Sequence, residues 1–171
     1  MVGSVQFFHH RPYIIIYIDI RILDMDCQVS EIRLKYRPKP ISEIIKGSTD
    51  LHRFLIDKIY DEDTIGYKES FKVILFNQSN RIIGYFTASD GGLTSTIVDV
   101  RVVLQTALVT NATSMVLSHN HPSGNANPSL QDDNITKKIR SACELMEIRL
   151  LDHIIVTPFG NFYSYCDEGK I

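Results

Sequence analysis

The sequence predicts an α/β fold, mixed α+β in the order of its elements, in which a central mixed sheet packs between helices. Short apolar runs bounded by turn residues indicate strands, and longer amphipathic stretches indicate helices. The two kinds of element follow one another in a mixed order, which is typical of a sheet covered by helices. With 171 residues, of which 44% are hydrophobic and 22% charged, the chain is long enough to bury a substantial core.

Residues 1–24 carry the weakest structural signal. We interpret them as an extra strand, a disordered leader or a misassigned translation start, because Met25 opens a more typical polar segment. The apolar run 13–18 is too short to span a bilayer and lacks the features of a signal peptide. We therefore expect no membrane segment. The three cysteines are scattered without a CxxC pair, which indicates reduced thiols and a cytoplasmic location.

Residues 25–48 predict a strand followed by a connector. Apolar and basic side chains alternate over residues 32–39, as in a half-buried strand with a basic outer face. That face is either a contact for an anion or a nucleic acid, or a charged edge that resists pairing with other chains. The second interpretation is favoured because runs of charge are usually solvated. The formal net charge of −2 also gives no general attraction to nucleic acid.

Residues 49–171 hold the remaining elements. Ser48 or Thr49 is predicted to cap a first helix, in which His52 is expected to be exposed. The apolar stripe of this helix consists of Leu51, Phe54, Leu55 and Ile59. The acidic run 61–63 resembles a metal cluster only superficially, and we interpret it as a solvated loop.

A hairpin and two longer helices follow. Residues 71–76 and 81–87 predict paired strands around a polar turn, with a flexible loop expected at Gly91-Gly92. Helices are predicted over residues 98–111 and 129–147. Their inward residues are expected to be Val102, Val103, Ala107 and Leu108 in the first, and Ile135, Ile139, Ala142 and Leu145 or Met146 in the second. Cys143 is expected to be a small buried hydrophobe. Strands are predicted over residues 113–118, 149–156 and 162–165.

Two histidines stand at the end of the strand that precedes the second helix. Residues i and i+2 of a strand point to the same side, so His119 and His121 should leave the strand together. The proline- and glycine-containing segment 122–128 then favours an irregular loop. Ser129 is a good N-cap, and Asp132 falls in the first helical turn, where side chains lean back toward the N-terminus. The carboxylate of Asp132 can therefore point toward the two imidazoles.

His119, His121 and Asp132 together predict a metal site. Imidazole nitrogen and carboxylate oxygen are ordinary zinc ligands, and three protein ligands leave a fourth position for water. Taken singly, a histidine at a strand end is usually a satisfied polar residue, and Asp132 fits a capping arrangement with Ser129. The combination of all three residues across a turn-forming connector favours the metal site. The chain has no cysteine pair for a zinc knuckle or a nucleobase-deaminase site, and no HExxH or P-loop pattern.

The segment from Ser118 to Asp132 resembles the metal-binding signature of the JAB/MPN (JAMM) metallohydrolases, and most closely that of their bacterial RadC-like branch. This signature is an upstream glutamate, then His-x-His, then an aspartate after ten residues, with Pro-Ser in the connector. The resemblance extends over residues 49–171 and includes the segments 94–98 and 151–156. It implies a JAB1/MPN-type central mixed sheet between helices, with layers like those of cytidine deaminases.

The resemblance also implies roles for individual residues. Glu69 matches the catalytic glutamate of the family, although its flanks alone, Lys68 and Ser70, suggest a surface residue. Glu69 would accept a proton from a water whose pKa zinc lowers toward about 7, and return it to the leaving amine. Ser129 would hydrogen-bond the oxyanion, or serve only as the helix cap. The implied activity is zinc-dependent cleavage of an amide bond in a peptide or protein substrate.

Two other functions stay open. One is a DNA repair or recombination accessory protein of the RadC type, which would bind DNA in a salt-sensitive manner through the basic residues 33–39. The other is a non-catalytic MPN interaction scaffold, which the presence of the complete residue set disfavours. Asp152 and His153 lie where polar groups could support the site, but a structural role is favoured for both. The substrate and the oligomeric state do not follow from the sequence.

Overall fold

A computed structural model describes residues 45–91 and 98–171 in full, and the backbone of residues 17–21 and 31–35. The chain divides into two units, residues 1–37 and 38–171. In the first unit, β1 (Tyr17–Arg21) pairs in antiparallel fashion with β2 (Glu31–Lys35). The predicted basic face of residues 32–39 and the segment 94–97 lie outside what the structure describes, as does the second glycine of the predicted flexible loop.

The second unit contains four helices and five strands among its described residues. They are α1 (Ser48–Lys58), α2 (Glu62–Ile65), β3 (Ser70–Phe76), β4 (Ile82–Asp90), α3 (Val100–Val109), β5 (Ser114–Asn120), α4 (Leu130–Leu145), β6 (Arg149–Val156) and β7 (Phe162–Ser164). The strands form one sheet in the order β4-β3-β5-β6-β7. The β5–β6 pair is parallel and the other pairs are antiparallel. No helix in the described part of the chain has the length and apolar character needed to cross a bilayer.

Helices cover both faces of this sheet. Because successive strand residues point to opposite faces, Val73 of β3 packs in the same cluster as Val103 of α3 and Ile139 of α4. The next residue, Ile74, packs instead in the cluster that contains Leu55 of α1. The predicted fold class, a mixed sheet between helices, is confirmed.

Strand β5 lies in the middle of the sheet, and all seven of its residues are buried. It pairs with β3 on one side, where His119 is opposite Phe71, and with β6 on the other, where Asn120 is opposite Val156. The polar residues at the carboxyl end of β5 are therefore held between two neighbouring strands.

The structure corrects the prediction for the first helix. Its N-cap is Gly47, which makes no side-chain hydrogen bond, and Ser48 is already helical. The Ser48 hydroxyl donates instead to Asp167 at 2.5 Å, near the other end of the sequence. The expectation that His52 is exposed is also wrong. Its ring is half-buried and stacks on Phe162, with ring centroids 4.5 Å apart.

The acidic run 61–63 is exposed, as expected, but it is not a loop. Asp61 caps the short helix α2 by accepting a hydrogen bond from the backbone N–H of Asp63 at 2.9 Å. A local capping hydrogen bond thus accounts for part of this acidic cluster.

The buried faces of the two longer helices are narrower than predicted. Val103, Ala107 and Cys143 are fully buried, as expected. By contrast, the predicted inward residues Val102, Leu108, Leu145 and Met146 are 36%, 50%, 85% and 41% exposed. The helices pack on the sheet along one narrow face, so apolar residues beside that face stay in contact with solvent.

Candidate metal centre

His119 and His121 meet at the end of β5. The backbone N–H of His121 donates to the carbonyl of Val156 at 2.9 Å, which continues the β5–β6 pairing one residue beyond the strand. The extended backbone places both rings on one side, and their Nε2 atoms are 2.9 Å apart. His119 is buried and His121 is partly exposed, so the pair lies between the core and the solvent.

Asp132 reaches these imidazoles from the first turn of α4. Its Oδ1 atom lies 3.1 Å from Nε2 of His119, and its Oδ2 atom lies 3.6 Å from Nε2 of His121. One potential ligand atom from each of the three residues lies within 4.8 Å of the others. The structure therefore brings together the three residues predicted as ligands.

The cap and the site use the same carboxylate at the same time. Oδ2 of Asp132 accepts hydrogen bonds from the backbone N–H of Ser129 at 2.7 Å and from its hydroxyl at 2.6 Å. The backbone N–H of Asp132 donates to the Ser129 hydroxyl at 3.2 Å, which completes a capping box. The two interpretations of Asp132 are thus compatible, because the cap orients the carboxylate that faces His119.

The loop between β5 and α4 orients the His121 ring. Its Nδ1 atom lies 2.7 Å from the backbone carbonyl oxygen of Asn125. A carbonyl can only accept, so Nδ1 carries the proton and the Nε2 atom of a neutral ring keeps its lone pair. This lone pair points toward His119 and Asp132.

His153 on β6 supports the other histidine. Its Nε2 atom lies 2.8 Å from Nδ1 of His119, and its Nδ1 atom lies 2.6 Å from the hydroxyl of Thr136 on α4. These contacts fit the alternative that the sequence left open for His153, a polar group that supports the site, and its complete burial also fits the favoured structural role. The alternation along β6 places His153 on the face of the sheet that carries His119.

Asp152 has the structural role expected for it. Its carboxylate accepts from the backbone N–H groups of His153 at 2.7 Å and Cys166 at 2.9 Å, and from the hydroxyl of Ser164 at 2.6 Å. Burial raises the pKa of Asp152, and these three hydrogen bonds oppose the rise. The residue fastens β6 to β7 and to the turn that follows.

Glu69 immediately precedes β3, and its backbone is fixed close to the histidines. Phe71, two residues later, pairs with His119 across the strands. The carbonyl of Glu69 accepts from the N–H of Gly91 at 2.9 Å. The side chain is half-buried, and its charge contributes to raising the pKa of His121. A carboxylate not bonded to the histidines thus lies near the proposed ligands.

Asn120 was not singled out by the sequence, although it stands between the two histidines. Its side-chain oxygen accepts from the N–H of Ser70 at 2.8 Å and from the Ser70 hydroxyl at 3.1 Å. Its NH₂ group donates to the carbonyls of Ile65 at 2.7 Å and Lys68 at 2.8 Å. Asn120 thereby fixes the backbone on both sides of Glu69 relative to β5.

The electrostatics of the cluster keep Asp132 ionised. Burial acts to raise its pKa, but hydrogen bonds with His119 and His121 outweigh burial and hold the pKa well below the ordinary value. The hydrogen bond that the protonated His121 ring can donate from Nε2 to Asp132 raises the pKa of His121, against the opposing effect of burial. Burial, followed by the nearby His119, keeps the pKa of His153 well below its ordinary value.

This donor set fits a metal ion. A carboxylate oxygen and imidazole nitrogens converge on one small volume, and the outer nitrogen of each imidazole is engaged in a hydrogen bond. Histidine ligands in metal sites characteristically donate from the nitrogen that does not bind the metal. Nitrogen and oxygen donors in this number suit zinc and other divalent transition metals.

Fold and site together define a mixed α+β domain whose central strand ends in a potential metal centre. Residues 45–170 match the family of RadC-like JAB domains. The chain therefore belongs to this family.

Curated relatives in several bacteria carry the same region. The chain is 48% identical to a UPF0758 protein of Flavobacterium johnsoniae over 101 residues, which are 59% of this chain and 44% of the relative. It is 40% identical to a UPF0758 protein of Porphyromonas gingivalis over 104 residues, 61% of this chain and 46% of the relative. It is 40% identical to a UPF0758 protein of Streptococcus gordonii over 117 residues, which are 68% of this chain and 51% of the relative. The chain thus spans about half the length of these relatives.

Proposed function

We propose that the chain is a zinc-dependent hydrolase of the JAMM type that cleaves an amide bond in a peptide or protein. The observation that carries the proposal is the convergence of His119, His121 and Asp132 within 4.8 Å, next to Glu69. A non-catalytic scaffold does not need such a constellation, and the family resemblance gives each member of it a role.

His119 and His121 would hold the metal through Nε2, and Asp132 would hold it through a carboxylate oxygen. Two neutral imidazoles and one carboxylate are an ordinary zinc donor set, and three protein ligands leave a position for water or substrate. When bound, zinc supplies Lewis acidity, which polarises a carbonyl group and lowers the pKa of water toward about 7.

Glu69 would act as the general base. Its carboxylate is half-buried and makes no hydrogen bond to the three proposed ligands among the contacts of the described residues. It would accept the proton of the attacking water and deliver it to the nitrogen of the broken amide bond, which leaves as an amine. The hydrogen bonds of Asn120 and Gly91 to the backbone around Glu69 would keep the carboxylate in place.

Ser129 has a less direct role in this proposal. Its hydroxyl donates to Asp132 at 2.6 Å, so it serves first as the helix cap and as the support of a ligand. For it to stabilise an oxyanion as the resemblance implies, the hydroxyl must turn away from Asp132 when substrate binds. The residue would then exchange one charge-assisted hydrogen bond for another.

The first experiment tests the metal site by elemental analysis of purified protein. We expect His121→Ala to lose most of the zinc of the unmodified chain. His52→Ala is the matched control, because His52 stacks on Phe162 and does not belong to the cluster. Equal zinc content in His121→Ala and the unmodified chain would contradict the site assignment.

The second experiment tests the reaction with a peptide-library cleavage screen. Loss of a general base typically costs about 10²–10⁴-fold in rate, so Glu69→Gln should lose activity to this extent while it retains zinc. Glu144→Gln is the control, because Glu144 is exposed on α4 and pairs with Arg140. Equal cleavage by Glu69→Gln would exclude Glu69 as the base. DNA retention that falls steeply with salt, without peptide cleavage, would favour the repair-factor alternative.

A further inference from the structure

We propose that His153 is a positioning residue which, together with Thr136, fixes the ring nitrogen through which His119 binds a metal ion. The proposal rests on the metal site described above, but not on Glu69 or on turnover. Its basis is a chain of three hydrogen bonds, two buried and one partly buried, whose direction is determined at one end.

The direction is determined at the backbone carbonyl of Asp132, where the chain of hydrogen bonds ends. The hydroxyl of Thr136 lies 2.5 Å from this oxygen and donates to it, because a carbonyl oxygen can only accept. A hydroxyl has one proton to donate. The second contact of the Thr136 hydroxyl, to Nδ1 of His153 at 2.6 Å, must therefore be one in which Thr136 accepts. Nδ1 of His153 carries the proton.

The same reasoning extends to His119. In a neutral His153 ring with its proton on Nδ1, the Nε2 atom can only accept. Nε2 lies 2.8 Å from Nδ1 of His119, so His119 donates from Nδ1. The Nε2 atom of a neutral His119 is then unprotonated, and this is the atom that faces His121 at 2.9 Å and Asp132 at 3.1 Å.

The surroundings hold both rings in this orientation. His153 is fully buried, and the Tyr165 ring stacks on it with centroids 5.0 Å apart. Phe71 packs against both imidazoles, with its ring centroid 5.9 Å from that of His119 and 5.5 Å from that of His153. Rotation of either imidazole would break the hydrogen bonds and displace aromatic neighbours.

These hydrogen bonds form a closed ring of contacts that begins and ends at His119. It runs from His119 on β5 through His153 on β6 to Thr136 on α4, and ends on the backbone of Asp132, whose side chain returns to His119. Two of the proposed ligands are thus oriented by one connected set of contacts. With the opposite tautomer, His119 would place an N–H group on Nε2, where the metal should bind.

The test combines two readouts, neither of which is activity. Long-range proton–nitrogen NMR spectra of the metal-free protein report the tautomer of each histidine. Titration with zinc in competition with a chelator reports affinity. The variants are Thr136→Val, His153→Leu and His153→Gln. Thr110→Val is the control, because Thr110 is also buried and its hydroxyl also donates to a helical carbonyl, that of Thr106 at 2.8 Å.

We expect His119 and His153 of the unmodified chain to be protonated on Nδ1. Loss of a supporting hydrogen bond to a histidine ligand typically weakens metal binding by about 10–100-fold, which we expect for His153→Leu. Thr136→Val should weaken zinc binding in the same direction, because it removes the partner that fixes the proton of His153 on Nδ1. His153→Gln should recover part of the affinity, because its amide oxygen can accept from Nδ1 of His119. Thr110→Val should bind zinc as the unmodified chain does.

Two results would overturn the proposal. One is a His119 protonated on Nε2 in the metal-free protein. The other is unchanged zinc affinity in a folded Thr136→Val, which remains informative if His153→Leu does not fold. The proposed hydrolase function fails separately: weaker zinc binding in the variants, together with no peptide cleavage by the unmodified chain, would support the role of His153 and contradict the activity.

Discussion

At the scale of single residues, Asn120 shows how the site is held together. It stands between His119 and His121, and it uses both the oxygen and the NH₂ group of its side chain in hydrogen bonds to the segment 65–70. The residue is fully buried, so water cannot replace any lost partner. Its contacts connect the strand of the proposed ligands to the segment of the proposed base.

We expect Asn120→Ala to lower the free energy of unfolding by roughly 3 kcal/mol, because several buried groups lose their partner and a cavity remains. Urea denaturation measures this change. Asn134→Ala is the control: Asn134 is exposed on α4, so its replacement should change stability by less than about 0.5 kcal/mol. A loss below about 1 kcal/mol for Asn120→Ala would mean that these hydrogen bonds contribute little.

Some residues of the site can be predicted from the sequence, and others cannot. His119, His121 and Asp132 were predictable because strand periodicity and a helix cap place them near one another. Asn120 was not, because its partners Ile65 and Lys68 lie 55 and 52 positions away in sequence. Local periodicity determines the side to which a side chain points, and only the folded chain determines what it meets there.

At the scale of elements, the loop between β5 and α4 sets the distance between the proposed ligands. Gly124 adopts φ +82°, a backbone conformation that residues with a side chain rarely adopt. A Cβ atom on Gly124 would also lie 2.6 Å from two ring atoms of Phe159 in the turn after β6. The Gly124 N–H donates to the carbonyl of His121 at 3.1 Å, so strain at Gly124 would reach a proposed ligand.

Gly124→Ala should therefore destabilise the protein by about 1–3 kcal/mol, through backbone strain and the clash with Phe159. Phe159→Ala should remove the clash but not the strain, because the Phe159 ring is 75% exposed and buries little surface of its own. We expect Gly124→Ala to cost less in a Phe159→Ala background than alone. A double-mutant cycle by chemical denaturation measures the difference, and strictly additive effects would show that the ring does not limit this position.

Strands were easier to predict than the faces of helices. Short apolar runs predicted strands over residues 71–76 and 149–156, and the structure has β3 and β6 within one residue of these bounds, because strands covered on both faces are apolar almost throughout. On α3 and α4 the apolar stripes were wider than the contact with the sheet, and Leu108 and Leu145 are exposed. An apolar pattern indicates which residues prefer burial, but nothing in the pattern reports how much of a helix its neighbour covers.

At the scale of the whole molecule, the site joins layers that are distant in sequence. The proposed ligands come from the end of β5 and from α4, and the proposed base precedes β3. A ligand that binds the folded chain and not the unfolded chain stabilises the fold in proportion to the logarithm of its concentration. Metal binding at this site should therefore increase the stability of the sheet and of α4 together.

Thermal unfolding with increasing zinc tests this expectation. Zinc at this site would be bound by two imidazole nitrogens and a carboxylate oxygen, and this binding should raise Tm. At a free zinc concentration 100 times Kd, we expect about 2.7 kcal/mol of added stability, which a chelator should reverse.

Magnesium should have little effect, because it prefers oxygen ligands in octahedral geometry, and this cluster offers two nitrogens. Zinc should not raise the Tm of His121→Ala, because the two remaining ligands, one carboxylate and one imidazole, are too few to hold the ion. An equal rise of Tm in His121→Ala would place the stabilising metal elsewhere in the molecule.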